Sequence, residues 1–132
     1  MSDIYQEIIL DHYRNPRNHG TLDHPTHQAR ALNASCGDKL QMDMVVKDGI
    51  IKEVRFSGVG CAISQASASL LSETLTGKPA REAFAMEPKD VLSLLGVTLS
   101  PSRIKCGLLS LETAKKTLGT PELPGEKEIY NK

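Results

Sequence analysis

Residues 40–57 constrain the fold more than any other stretch. Leu40, Met42, Met44 and Val46 alternate with Gln41, Asp43, Val45 and Lys47, the period-two pattern of a strand buried on one face. Ile50, Val54 and Phe56 mark a second strand over 50–57. Asp48-Gly49 between them invites a two-residue hairpin turn. That register sets Lys47 opposite Ile50 and throws the two apolar sets onto opposite faces. A three-residue loop of Lys47, Asp48 and Gly49 pairs Val46 with Ile50 instead. It gathers Leu40, Met42, Met44, Val46, Ile50, Val54 and Phe56 on one face. A one-residue slip flips a whole face, so the longer loop is the expected one, with Gly49 as the bulge.

Helical patterns surround this hairpin. Residues 3–14 place Ile4, Ile8 and Ile9 on one face, joined by Tyr5 and Tyr13, and Pro16 forbids continuation. A loop rich in His and Pro runs to about Thr26, and 27–34 reads as an edge strand. Gly58-Val59-Gly60 breaks the second hairpin strand. Cys61 then opens a helix to about Thr76, dense in Ala and Ser, with Gly77 as its stop. Short helices are expected over 79–85 and 88–95. Ser100-Pro101 reads as a cap and first-turn proline for a last helix over 102–118. Its expected core stripe is Ile104, Gly107, Leu108, Leu111, Ala114 and Leu118. The order implies an α+β fold, a short antiparallel three-stranded sheet with helices packed on one face. Residues 1–118 form a single domain in this reading, and 119–132 a flexible C-terminal tail.

At 132 residues the length suits one domain, and no staple is needed to fold it. Sixteen basic and sixteen acidic residues cancel, which gives no global electrostatic case for nucleic acid or an anionic membrane. No apolar run approaches the roughly 20 residues of a membrane span. The N-terminus is acidic and helical in pattern, unlike a signal peptide, so a cytoplasmic protein is expected. Three cysteines make an odd count, which suits free thiols better than a secreted disulfide framework.

Those cysteines sit at junctions. Cys36 lies in Ala34-Ser35-Cys36-Gly37-Asp38, where Gly37 allows a turn sharp enough to aim Cys36 and Asp38 at one place. Cys61 stands at a helix N-terminus, where the dipole favours a thiolate. Cys106 falls off the expected core stripe, so it should face outward or toward the end of the sheet. Three thiolates and one carboxylate suffice for tetrahedral zinc, and thiolates also suit iron–sulfur clusters. The hard oxygen of Asp38 makes a soft centre easier to lose. The spacing alone leaves open three unrelated packed thiols and an Asp in a turn. Arg103 and Lys105 flank Cys106, either as a solvated helix start or as compensation for a negative centre. His12, His19, His24 and His27 are expected in solvated or capping roles.

Four stretches give the chain a family likeness: YQEIILDHYRNPRNHG at 5–20, ASCGD at 34–38, GVGCAISQASASLL at 58–71 and RIKC at 103–106. Together they resemble the U-type iron–sulfur scaffold family, the group of IscU, SufU and the NifU N-terminal domain. The resemblance implies a ligand set of Cys36, Asp38, Cys61 and Cys106 at one end of an α+β domain. It implies a cysteine desulfurase and an iron donor as partners, and a cluster carrier or apo-protein as acceptor. Its first functional reading is a scaffold that builds a transient cluster of the 2Fe–2S kind and passes it on. Its second is a zinc-dependent sulfurtransferase with Zn2+ in the same ligands. In both, Cys106 or Cys61 accepts the persulfide. Isc-type members carry His before the last Cys and a Leu-Pro-Pro-Val-Lys motif. Here Lys105 and Leu99-Ser100-Pro101-Ser102-Arg103 stand in those places. The motif is SufU-like at an Isc-like length.

Overall fold

The computed structural model describes residues 3–34 and 37–120, with side chains beginning at Gln6. Strands β1 (His27–Asn33), β2 (Asp38–Lys47) and β3 (Ile50–Val59) form one antiparallel sheet in the order β1-β2-β3. The hairpin corrects the expected register. Lys47 pairs with Ile50 across a two-residue turn, in which Asp48 and Gly49 both have positive φ, 53° and 76°. That is the backbone a tight, strand-compatible turn demands. The conflict between faces is resolved inside β3. Val46 pairs with Ile51 and Val45 with Glu53, so Lys52 is the extra residue of a bulge. Ile51 rather than Ile50 therefore joins Leu40, Met42, Met44, Val54 and Phe56 on the buried face.

Five helices complete the described fold: α1 (Asp3–Arg14), α2 (Ala62–Leu75), α3 (Ala80–Phe84), α4 (Pro88–Leu95) and α5 (Pro101–Leu118). α5 lies over β1 and β2, and α2 over β3, so the core forms on one face of the sheet. There Phe56, Met42 and Met44 meet Leu71 and Leu75 of α2 and Leu109 and Ala114 of α5. Each large apolar side chain fully buried here contributes roughly 1.5–3 kcal/mol. α1 packs on α2, with Ile9 against Ala66, while Tyr13 remains 46% exposed and outside the expected face. No helix among the described residues is long and apolar enough to cross a membrane.

The small residues of α2 serve two neighbours. The Ser67 hydroxyl donates to the Gly107 carbonyl of α5 at 2.6 Å and shares a 2.8 Å bond with Ser110 Oγ. On another face, Ser69 Oγ accepts from the Arg17 amide at 2.8 Å. Buried hydroxyls with partners of this kind cost little, and their size lets the helices approach closely. The expected stripe on α5 holds at Gly107, Leu111 and Ala114, which are buried, and fails elsewhere for a related reason. Its buried side chains include Cys106, Leu109, Ser110, Thr113 and Thr117, while Ile104, Leu108 and Leu118 are half-buried. Thr113 and Thr117 donate to the carbonyls one turn back, Leu109 O and Thr113 O, both at 2.7 Å. Polar residues satisfied within their own helix thus fill core positions that an apolar count assigns elsewhere. Cys106 lies on this inner face and not outward.

The segment 15–26 straps the far side of the sheet. It meets the free edge of β3, where Phe56 N–H donates to Asn18 O at 3.0 Å and Gly20 N–H to Phe56 O at 2.8 Å. The strap then covers Asp43, which alternation puts on the helix-free face yet is 1% exposed. Its carboxylate accepts from the Leu22 amide and from the Gln28 and Gln41 side chains, each at 3.0 Å. At the other end of the fold Gly119 closes α5, its N–H donating to Lys115 O at 2.9 Å. Cys36, and the expected tail from residue 121 onward, lie outside the described residues.

Candidate metal centre

Antiparallel pairing places the start of β2 beside the end of β3, with Lys39 opposite Val59. Asp38, the first residue of β2, therefore neighbours Cys61, which follows β3 and caps the start of α2. α5 begins at the same end of the sheet and brings Cys106 in on its second turn. The ligand atoms of Asp38, Cys61 and Cys106 all lie within 4.8 Å of one another. Asp38 and Cys106 are buried, at 3% and 5% exposure, and Cys61 is half-buried.

The Cys61 amide donates to Asp38 Oδ1 at 3.2 Å, and the Cys61 thiol to Asp38 Oδ2 at 3.8 Å. The carboxylate thus fastens the strand to the helix start while standing beside a thiol. Ligand atoms on a tetrahedral zinc lie roughly 3.5–3.8 Å apart, so these need draw in by only about 1 Å. Two soft sulfurs and one oxygen on three separate elements fit a thiophilic ion, with one position left for a further donor. Sequence position sets Cys36 two residues before Asp38.

Arg103 and Lys105 are both exposed and flank this end on two sides. Arg103 lines a groove of about 510 Å³ with Ile9, Ala62, Ile63 and Leu99. Lys105 lines a recess with Leu32, Asn33 and Ala34, the residues leading toward position 36. Two contributors escaped the sequence reading. Ser64 is fully buried in the first turn of α2, its Oγ 3.8 Å from Cys61 Sγ. Gly60 has no side chain to obstruct this approach, and a Cβ there would stand 2.3 Å from Ser64 Oγ and 3.2 Å from Asp38 Oδ1. The run Gly-Val-Gly-Cys was the available signal, read only as a strand breaker.

Among the described residues the histidines lie outside this cluster. His12 is not solvated as expected. It is 7% exposed, with Nδ1 2.7 Å from Ser69 Oγ and Nε2 3.8 Å from Glu73 of α2. Burial first, and the Arg17 charge second, hold its pKa below the ordinary 6.5, against the opposing pull of Glu73 and Asp11. The folded state therefore favours neutral His12. Its contribution is complete above pH 6.5 and is lost as pH falls from there through the lower folded value. Thermal melts should show stability declining below that pH. His12→Asn, whose amide can still reach Ser69, should flatten the decline, and an unchanged slope in the variant contradicts the assignment.

The NifU-like N terminal domain model matches residues 4–121. The chain is 32% identical to the zinc-dependent sulfurtransferase SufU of Bacillus subtilis, over 92% of this chain and 94% of that one. It is 37% identical to the iron–sulfur cluster assembly scaffold protein IscU of Thermotoga maritima, over 87% and 92% of the two chains. A crystal structure from Fervidobacterium islandicum AW-1, described as an iron–sulfur cluster assembly scaffold for the SUF system, superposes with a TM-score of 0.74 at 29% identity. It covers 87% of this chain and 96% of its own. By sequence and by fold, the chain belongs to the family of the NifU-like N-terminal domain.

Proposed function

We propose that this protein is an iron–sulfur cluster assembly scaffold whose ligands are Cys36, Asp38, Cys61 and Cys106. One observation carries the reading: Asp38, Cys61 and Cys106 come from a strand, a helix cap and a helix, yet their ligand atoms gather within 4.8 Å. A cytoplasmic cysteine desulfurase supplies sulfur as a persulfide. The thiolate of Cys106 or Cys61 attacks its terminal sulfur, the donor S–S bond breaks, and the desulfurase thiolate leaves. Becoming sulfide costs each such sulfur an electron pair, so an external reductant is a co-reactant. Iron from a donor protein joins it, and a cluster of the 2Fe–2S kind is held until a carrier or apo-protein takes it. Arg103 and Lys105 offset the negative charge of the loaded site. Residues 1–118 act as one domain.

Asp38 is the ligand that lets go. A carboxylate oxygen binds a soft centre less firmly than a thiolate does. Asp38→Ala should therefore lengthen the half-time of cluster transfer to an apo-ferredoxin about tenfold, in the range of changes around a metal's ligands. The lost bond from the Cys61 amide should cost only about 1 kcal/mol of stability. Transfer from the variant as fast as from the unaltered chain contradicts this role.

Zinc-dependent sulfur transfer is the second reading, favoured by the Arg103-Ile104-Lys105-Cys106 segment and the SufU relative. One anaerobic experiment separates the two. The chain is mixed with ferrous iron, cysteine, a reductant and a desulfurase, and sulfur-to-iron absorption is followed. Colour that forms and then moves to an apo-ferredoxin supports the scaffold. Zinc that stays bound, no colour and faster desulfurase turnover select the sulfurtransferase.

A further inference from the structure

Ser64 is the third residue of α2 and has no exposed surface. In a common capping arrangement the third residue of a helix reaches back to accept the N–H of the cap residue. Here Asp38, arriving from β2, accepts the Cys61 N–H instead. The Ser64 hydroxyl is left to turn to Cys61 itself. It donates to the Cys61 carbonyl at 3.1 Å, and its oxygen lies 3.8 Å from Cys61 Sγ, where either atom can donate. Helix propensity does not ask for serine at a fully buried position, since alanine is the better helix former and hides no polar atom. The glycine at position 60 leaves room for this hydroxyl, because a Cβ there would stand 2.3 Å from it.

We propose that Ser64 is a positioning residue of the site, whose hydroxyl donates to the Cys61 sulfur once that sulfur is an ion-bound thiolate. The inference rests on the ligand set given above. As a thiol, Cys61 has one proton, which it donates to Asp38 Oδ2 at 3.8 Å, while Ser64 Oγ stands at the same distance with its own proton on the Cys61 carbonyl. When an ion binds, the thiol proton goes to solvent and the sulfur becomes an acceptor only. The Asp38 carboxylate has no proton to offer it. The Ser64 hydroxyl has one, and turning it from the Cys61 carbonyl to the sulfur takes a rotation about the C–O bond. An O–H···S bond draws charge off a metal-bound sulfur, which lowers its donor strength and its reactivity toward electrophiles.

The test uses the full-length chain loaded with Co(II) alone, read by its thiolate-to-metal charge-transfer band. Alkylation of Cys61 in zinc-loaded protein, followed by peptide mass, is the second readout. Ser64→Ala should move the band to longer wavelength and speed alkylation about fivefold, the worth of one modest hydrogen bond. Ser64→Thr keeps the hydroxyl and should return both toward the unaltered values. Circular dichroism of each variant checks the fold. A band unmoved by Ser64→Ala overturns the inference alone, and equal shifts in Ser64→Ala and Ser64→Thr reduce Ser64 to packing and overturn it too. No thiolate band in the unaltered chain overturns the ligand set and the inference together.

Discussion

Cys106→Ser is expected to weaken zinc binding by a factor of several hundred while leaving the fold intact. Structural zinc sites in small domains are worth about 10–16 kcal/mol, or roughly 3–4 kcal/mol for each of four ligands. A loss of that size is a factor of about one hundred to several hundred in affinity. Cys106 is buried, at 5% exposure, among the gathered ligand atoms. Serine is nearly its size and stays within a helix of eighteen residues, so packing changes little. Competition against a chromophoric chelator measures the affinity, and a thermal melt checks the fold. The same variant assigns the sulfur acceptor. If Cys106 is that acceptor, desulfurase-derived persulfide disappears from the mass spectrum, whereas persulfide persisting on Cys61 gives that role to Cys61. Zinc affinity within threefold or so of the unaltered chain removes Cys106 from the ligand set.

Gly58→Ala is expected to cost about 3 kcal/mol or more, although the residue is exposed. Gly58 has φ +135°, a conformation L side chains rarely adopt. An added Cβ would lie 2.1 Å from the Lys39 carbonyl oxygen and 3.1 Å from Leu40 Cα. Both obstacles are backbone of β2, in the rung that pairs Leu40 with Gly58, so no side chain can swing away. For a domain of this size the melting temperature should fall by roughly 10–15 °C. Metal affinity should fall as well, because Asp38 begins the strand that must shift. A melt within about 3 °C of the unaltered protein means that the sheet end yields more easily than this geometry allows.

Both predictions depend on a site only half legible in the sequence. The elements themselves could be read, because Pro16, Gly77 and Pro101 punctuate clear apolar periods, although β3 runs through Gly58, the expected breaker, to Val59. The hairpin register could not, since the bulge at Lys52 has no glycine to announce it. The inner face of α5 was hidden for a different reason. Thr113 and Thr117 look like surface residues until their hydroxyls are seen bonded to the helix backbone. Asp38, Cys61 and Cys106 were each legible as residues at junctions, but their convergence belongs to topology. An antiparallel pair returns the chain to the level where it started, so residues twenty-three apart become neighbours. The turn of α5 onto the same end depends on packing that no local spacing encodes.

The bond from the Cys61 amide to Asp38 makes the proposed hold on an ion and the seam between β2 and α2 share one carboxylate. Oδ1 keeps the seam while Oδ2 faces the Cys61 sulfur, so a movement of the group on loading is felt at the helix start. Linkage makes the coupling symmetrical: whatever factor by which loading tightens or loosens the helix start, fixing the helix start changes loading by the same factor. On the proposed ligand set, a contact on the first turn of α2 can therefore alter the hold on an ion without touching it.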